Sequence, residues 1–298
     1  PEYKKTSSPK VDGVISVDTQ VLLDLLRVIG PIGVPGQGNF SAETDKRCNC
    51  PVVIYELESI ISVETPYVRD YRKAILGPLM NSIIANAVAQ PKEKIAPLFQ
   101  VVLKAIQEKH LMLYFEDPKI QAAVESFNLA GRVRPTDGDY LFIVGSNLAG
   151  AKSNLYLETN VEDLIQAHDD GTVDHQLTVS YSNPQPYDGW LNGENRNWFR
   201  VYVPKGSTLS DSTGSEVKID PYEELDKPVI AGFITVRPGG GLARFTLTYK
   251  TPSVVKGGNY HLLVQKQPGS KNDPYILTIN GKDQEFTLNS DKDIRQGP

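Results

Sequence analysis

The hydrophobic period of this chain changes once, near residue 150, and that change limits what the chain can fold into. Upstream, apolar residues recur every three to four positions. Val21, Leu22, Leu25, Leu26 and Ile29 make one such stripe, as do Val53, Ile54, Leu57, Ile60 and Ile61, and then Leu98, Val101, Val102, Ala105 and Ile106. That spacing puts one face of a helix against a core. From Ala151 onward the helical period is gone, and short alternating runs stand between turn residues. Runs at 173–181, 198–203, 229–236, 243–249, 260–265 and 275–279 read as strands. Two domains are therefore expected, an α/β domain over residues 1–150 and an all-β domain over 151–298, with the boundary between residues 145 and 156.

Compact apolar runs punctuate the first half at 13–17, 110–115 and 140–144. The first reads as a short buried strand leading through Asp18 or Thr19, as N-cap, into a helix that Gly30-Pro31 ends. Residues 37–51 read as a surface loop. Thr65-Pro66 opens a helix from 67 to about 89, kinked at Gly77-Pro78. Pro91 opens another through 109 with a bend at Pro97, and Asp117-Pro118 starts a short one over 119–127. Strand, helices, strand, helix, strand is the rhythm of a sheet with crossover helices. In the second half Asp170-Gly171, Pro238-Gly239 and Asn280-Gly281 stand where turns are required. The pattern predicts a β-sandwich, immunoglobulin-like in outline, with a frayed tail from about residue 290.

Length and composition fit this division. The 298 residues suit about two domains, and 40% hydrophobic against 22% charged residues supports real cores. A net charge of −5 argues against a general nucleic-acid binder, which needs a basic face. No apolar run approaches the ~20 residues that cross a bilayer. The chain begins at Pro1, not Met, so it is expected to be a processed or trimmed piece of a longer protein.

Cys48 and Cys50 are the only cysteines. One residue apart, they suit a local disulfide or two free surface thiols. A zinc site needs two further ligands, and His110, His168, His175 and His261 show no paired spacing, so no metal is expected. A disulfide would fit an oxidising compartment.

Several stretches together resemble one family. They are VDGVISVDTQVLLDLLRVIGPIGVPG (11–36), YVRDYRKAILGPLM (67–80), EKHLMLYFEDPKIQAAVESFNLAG (108–131), GDYLFIVGSNLAGAKSNLYLE (138–158) and HLLVQKQPGS (261–270). On these the chain resembles the bacterial cell-envelope family known as domain of unknown function 4012 (DUF4012). The resemblance implies an extracellular protein at the cell surface whose membrane anchor and upstream half of the α/β domain lie outside this chain. It also implies that the upstream segment or another chain completes the sheet. The expected partner is a cell-wall or surface glycan or another envelope protein, with no nucleic acid.

A more distant likeness is to the LytR-CpsA-Psr family, which transfers glycopolymers from a polyprenyl pyrophosphate carrier to peptidoglycan. There arginines hold the pyrophosphate and acidic residues manage a metal or a proton. On that likeness Asp18, Arg69 and Arg72 would be catalytic and Mg²⁺ the cofactor; without it no cofactor is implied. Arg72 matches the family's arginine-glutamine-glutamine helix at the arginine alone, with Lys73 and Ala74 in place of the glutamines.

Each candidate has a plain alternative. Arg69, Arg72 and Lys73 share a helical face as a phosphate grip or, as expected of most such clusters, as a solvated face. Asp12 and Asp18 flank the first strand, where turn and cap roles account for them. Ser146, Asn147, Lys152, Ser153 and Asn154 form a binding loop or an interdomain linker. Trp190 and Trp198, with Tyr187 and Tyr202, could stack on sugar rings, though packing is the ordinary role. The histidines are expected to be structural or exposed. No phosphate-cradling loop, nucleophile elbow or His-Glu-x-x-His helix is present, and Gly239–Gly241 reads as a turn. The function expected is a non-enzymatic extracellular envelope protein presenting interaction surfaces. The alternatives are a LytR-CpsA-Psr-like phosphotransferase and a glycan-binding module.

Overall fold

The computed structural model describes residues 11–63, 74–252, 254–255 and 259–296. Among the described residues there are five α-helices and the rest is largely β, an α/β unit followed by a β-rich one. The chain divides into two compact units, residues 1–132 and 133–298. The division falls earlier than the 145–156 expected from the sequence, because the run at 140–144 belongs to the second unit.

In the first unit, β1 (Gly13–Val17) runs into α1 (Thr19–Ile29). Asp18 caps α1 by accepting from the Gln20 N–H at 2.9 Å, and Gly30, at φ +88°, ends it. Two small hairpins follow, β2 (Ile32–Val34) with β3 (Gly38–Phe40), and β4 (Thr44–Asp45) with β5 (Cys50–Pro51). They give the expected loop a framework, and the Cys48–Cys50 disulfide closes the second turn. The helix α2 (Val52–Val63) then begins at once.

The next helices, α3 (Leu76–Val88) and α4 (Ile95–Gln107), carry Pro78 and Pro97 in their first turns. There a missing N–H costs nothing, so Pro97 marks a start and not the expected bend; the expected helix upstream of Pro78, over 67–73, lies outside the described residues. Buried Asp24 on α1 pairs with Arg27 and, at 3.1 Å, with Lys104 Nζ, which ties α1 to α4. The unit closes with β6 (Leu111–Phe115) and α5 (Pro118–Ser126), the latter capped by Asp117.

The expected crossover sheet is not formed among the described residues. Among the described residues β1 pairs only with β6, antiparallel, from Gly13 opposite Phe115 to Val17 opposite Leu111. Nor is β1 buried: Val14, Ile15 and Val17 are 44, 66 and 45% exposed. Gly13 is required where it stands, since a Cβ there would lie 2.7 Å from the Phe115 ring.

The second unit is built from two six-stranded sheets among the described residues. The strands are β7 (Asp139–Asn147), β8 (Glu158–Ala167), β9 (Val173–Asn183), β10 (Asn195–Tyr202), β11 (Thr208–Thr213), β12 (Tyr222–Glu224), β13 (Lys227–Val236), β14 (Gly241–Thr251), β15 (Tyr260–Gln265), β16 (Asp273–Ile279), β17 (Lys282–Leu288) and β18 (Lys292–Gln296). The first sheet has the order β12-β13-β10-β7-β15-β18 and the second β11-β14-β9-β8-β16-β17. Two pairs are parallel, β7 with β15 and β8 with β16. The expected frayed tail is the edge strand β18, paired with β15.

One apolar core lies between the sheets. The first contributes Leu141, Phe199, Val201, Ile234 and Leu262, the second Val161, Leu177, Val179, Phe245 and Leu277. Phe199 and Phe245 stack across it with ring centroids 3.8 Å apart. Burying each such side chain stabilises the unit by about 1.5–3 kcal/mol. A smaller cluster of Tyr140, Phe142, Tyr202, Val229, Ala231 and Leu263 lies on the opposite face of the first sheet, which leaves β7 covered on both faces.

Candidate functional site

Three loops meet at one end of the second unit, and the side chains joining them are mostly amides. Asn147, at the end of β7, donates from Nδ2 to the Ala151 carbonyl at 3.2 Å and to Ser153 Oγ at 3.1 Å. Asn195, at the start of β10, donates from Nδ2 to the same Ser153 Oγ at 3.1 Å and to Asn154 Oδ1 at 2.6 Å. The Lys152 N–H donates to the Leu191 carbonyl at 2.9 Å. The loop that follows β7 is thereby fixed to the loop between β9 and β10.

That second loop is pinned in turn. Asn183 Nδ2 donates to Asn192 Oδ1 at 2.7 Å, and Asn192 Nδ2 donates to the carbonyls of Gln185 and Pro186 at 3.0 and 2.9 Å. Asp188 accepts from the N–H groups of Trp190 and Asn192. The third loop, between β15 and β16, joins through Lys271, whose Nζ donates to the Leu155 and Leu157 carbonyls at 2.8 and 2.9 Å. Lys266, 1% exposed, donates to the Ser270 carbonyl within that loop. Beside it Asp273 is pushed up to about 6 by burial, against the pull of Lys266 and Lys271.

The result is a rim whose backbone is held by amides, most of them buried, and by the ammonium groups of buried Lys266 and exposed Lys271, with Trp190 half-buried and Lys152 and Asn154 exposed on it. Asn195 Oδ1 and Asn197 Oδ1, both buried, accept no hydrogen bond among the described residues. The expected polar cluster of Asn147, Lys152 and Asn154 thus lies in a loop within the second unit. The structure brings it together with Trp190.

Trp198 sits elsewhere. Alternation along β10 sends Phe199 and Val201 inward and Trp198, Arg200 and Tyr202 to the outer face of the first sheet. There Trp198 lies 4.7 Å from Phe233 between ring centroids, and both are half-buried. The face deepens toward Phe142 and Tyr202, 5.5 Å apart, and toward Tyr140, whose ring Lys227 Nζ caps at 3.9 Å. Burial pulls the Lys227 amine down, and it pushes the Tyr202 phenol up to about 12.

Sequence reasoning missed a buried ionic group between the sheets. His175, 1% exposed on β9, stands between Asp139 Oδ2 at 2.8 Å through Nε2 and Asp163 Oδ2 at 2.9 Å through Nδ1. Asp139 also accepts from Tyr260 OH at 2.5 Å and from the Tyr140 N–H at 2.7 Å, while the Tyr249 ring stacks on the imidazole at 4.5 Å. With a carboxylate oxygen at each ring nitrogen, the imidazole donates from both and is held as the cation. Burial alone would lower its pKa; the two carboxylates reverse this and push it up to about 10. Asp139 belongs to the first sheet and the other two residues to the second, so the group is a strap between sheets. The signal available in the sequence was a histidine at the inward register of an alternating strand.

In the first unit Asp18 is spent twice, as the α1 cap and as the partner of His110, whose Nδ1 lies 2.6 Å from Asp18 Oδ2. Arg69, Arg72 and Lys73 lie outside the described residues. Among the described residues no group of three or more His, Cys, Asp or Glu is arranged to hold a metal ion. No helix among them is long and apolar enough to cross a membrane.

No family model and no curated protein matches the chain. Among solved structures, a protein from Legionella pneumophila described as nutrient-binding aligns with a TM-score of 0.35 at 8% identity, over 48% of this chain and 55% of that one. An M1 zinc metallopeptidase from Deinococcus radiodurans aligns at 0.24 and 12% identity, over 41% of this chain and 31% of that one. The likenesses thus cover about half or less of those proteins.

Proposed function

We propose that this chain is a non-enzymatic part of a bacterial cell-envelope protein of the DUF4012 kind, acting outside the cell by presenting interaction surfaces. The observation that supports it best is the rim formed by residues 148–157, 184–194 and 266–272. Loops fixed by hydrogen-bonded amides and lysines lose little conformational entropy on binding, which is what a recognition surface needs. The Cys48–Cys50 disulfide suits an oxidising location. The scaffold is immunoglobulin-like in the broad sense of two facing sheets with loops gathered at their ends.

The expected partner is a surface glycan or another envelope protein. The test is a screen of the intact chain against cell-wall and capsular glycans and against extracted envelope proteins. A partner whose binding falls at least about tenfold in Trp190→Ala, with the fold unchanged, supports the reading. Transfer of a polyprenyl-linked glycan by the protein, lost on Arg72→Ala, overturns it in favour of the phosphotransferase reading.

A second reading, glycan binding through the outer face of the first sheet, draws on one specific observation. Trp198 and Phe233 face outward and are half-buried, outside the inter-sheet core. Adjacent aromatic rings of this kind offer a platform for the apolar face of a sugar. Silence on a glycan array, or array signals untouched by Trp198→Ala, removes it.

A further inference from the structure

The ribbon of β1 and β6 is finished on one side only. Alternation in an antiparallel ladder sends every second residue's backbone groups to the neighbouring strand and the rest away from it. The Asp18 N–H donates to the His110 carbonyl, and the Glu116 N–H to the Asp12 carbonyl. Even-numbered residues of β1 therefore face β6, and Gly13, Ile15 and Val17 direct their N–H and C=O groups outward. On β6 the outward groups are engaged: the Leu113 N–H donates to the Leu129 carbonyl and the Phe115 N–H to Gln121 Oε1, both at 2.9 Å. On β1 no described residue meets them. The side chains agree, since Val14, Ile15 and Val17 are exposed on both faces of the strand and Tyr114 lies opposite Val14 at 37% exposure.

An apolar edge of this kind is a template for another strand. Its ends say which. Asp12 is exposed at one end. At the other, Asp18 and Glu108 flank His110, with Glu108 Oε2 3.7 Å from its Nε2, so the three groups sum to −1 or −2 whichever form the imidazole takes. Lys109 beside them, at 4% exposure, adds one positive charge, so with it this end sums to −1 or 0. A second copy of β1 fits poorly, because the antiparallel register centred on Ile15 would set each Asp12 opposite an Asp18. Like charges facing across strands are destabilising. We infer that the outer edge of β1 receives a strand of a different polypeptide, five to seven residues long, apolar at its centre and bracketed by lysine or arginine.

The test uses the intact chain and two blocked heptapeptides with one Val-Thr-Val-Thr-Val centre, flanked by lysines in one and glutamates in the other. NMR amide exchange is followed at Gly13, Ile15 and Val17. The lysine peptide should slow exchange at these three amides and bind about tenfold more tightly than the glutamate peptide, as two exposed ion pairs permit. Asp12→Asn with Asp18→Asn, which keeps a capping side chain on α1, should bring the two peptides to within about threefold. Ile15→Pro removes the central outward donor without touching a bond to β6, and should abolish the protection. Unchanged exchange at saturating peptide, equal affinity for both flanks, or protection that appears on self-association without peptide each overturns the proposal. The double variant keeps it falsifiable if the proline variant does not fold.

Discussion

His175 occupies an inward position of β9 where alternation calls for an apolar side chain, and its partners come from the other strands of the core. Removing one member of such a buried group leaves uncompensated charge, which typically destabilises by about 3–5 kcal/mol. His175→Phe is expected to lose that much in urea denaturation, and adding Asp139→Asn and Asp163→Asn should recover part of it. The pH dependence has a definite sign. A pKa raised from 6.5 to about 10 on folding means the strap's stabilisation is whole below about pH 6.5 and lost as pH rises through about 10. The decline in the parent chain's stability between about pH 6.5 and 10 should therefore be reduced in His175→Phe, while the decline above that range, which belongs to the buried tyrosines, should remain.

Asp273 follows the same rule for a different reason. Its carboxyl is raised from 3.8 to about 6 by burial, so the fold is most stable with the group protonated, below about pH 4, and loses that stability as pH rises through about 6. Asp273→Asn should match the parent in urea midpoint below pH 4 and exceed it at pH 7. Residues of this kind are hard to read in a sequence. Asp163 lies in the run Val161, Asp163, Ile165, where a carboxylate at an inward position hides the strand. Its burial is intelligible only once His175 and Asp139 are known to meet it. Asn147, Lys152 and Asn154 could be read as a loop, but its meeting with the loop that carries Trp190 rests on the buried Asn195–Ser153 bond, between residues 42 positions apart, which local sequence does not report.

At the scale of elements, local signals carried far. The hairpin at Asn280-Gly281 has positive φ at both residues, 49° and 78°, as a two-residue turn of this type requires. Gly281→Ala should cost about 1 kcal/mol in denaturant stability with the fold retained. The first helix was legible in its cap, its stripe and its glycine end, each a contact within a few residues. The sheet assignments were not. Apolar runs in β1 and β7 look alike in sequence, yet β1 is exposed and β7 is covered on both faces. The run at 140–144 has the character of a parallel buried strand, and it does pair in parallel, but with β15 and not with the first half of the chain. Whether an apolar run finds a neighbour depends on strands far off in the chain, which periodicity does not report.

For the whole molecule, the division at residues 132 and 133 makes a direct claim about what folds alone. A chain cut to begin at Val133 keeps every strand of both sheets and should melt cooperatively by circular dichroism. A chain cut at the sequence-based boundary, beginning at Ala151, loses β7 from the middle of the first sheet, along with Asp139 from the strap. It is expected to be insoluble or to lack a cooperative transition. If both melt alike, β7 is not the integral strand described above.

The two parallel pairs also set an order of events at the ribosome. β7 and β8 are the earliest strands of their sheets to be made, yet each waits for a neighbour near the end of the chain, Asp139 for Leu262 and Val161 for Tyr275. Neither sheet can close until synthesis is almost complete, and loop closure over such separations is slow. In the interval both nascent sheets carry an open central edge, the condition in which chains mispair with one another. A nascent chain stalled before β15 should thus be a client of chaperones, whereas the finished chain should not.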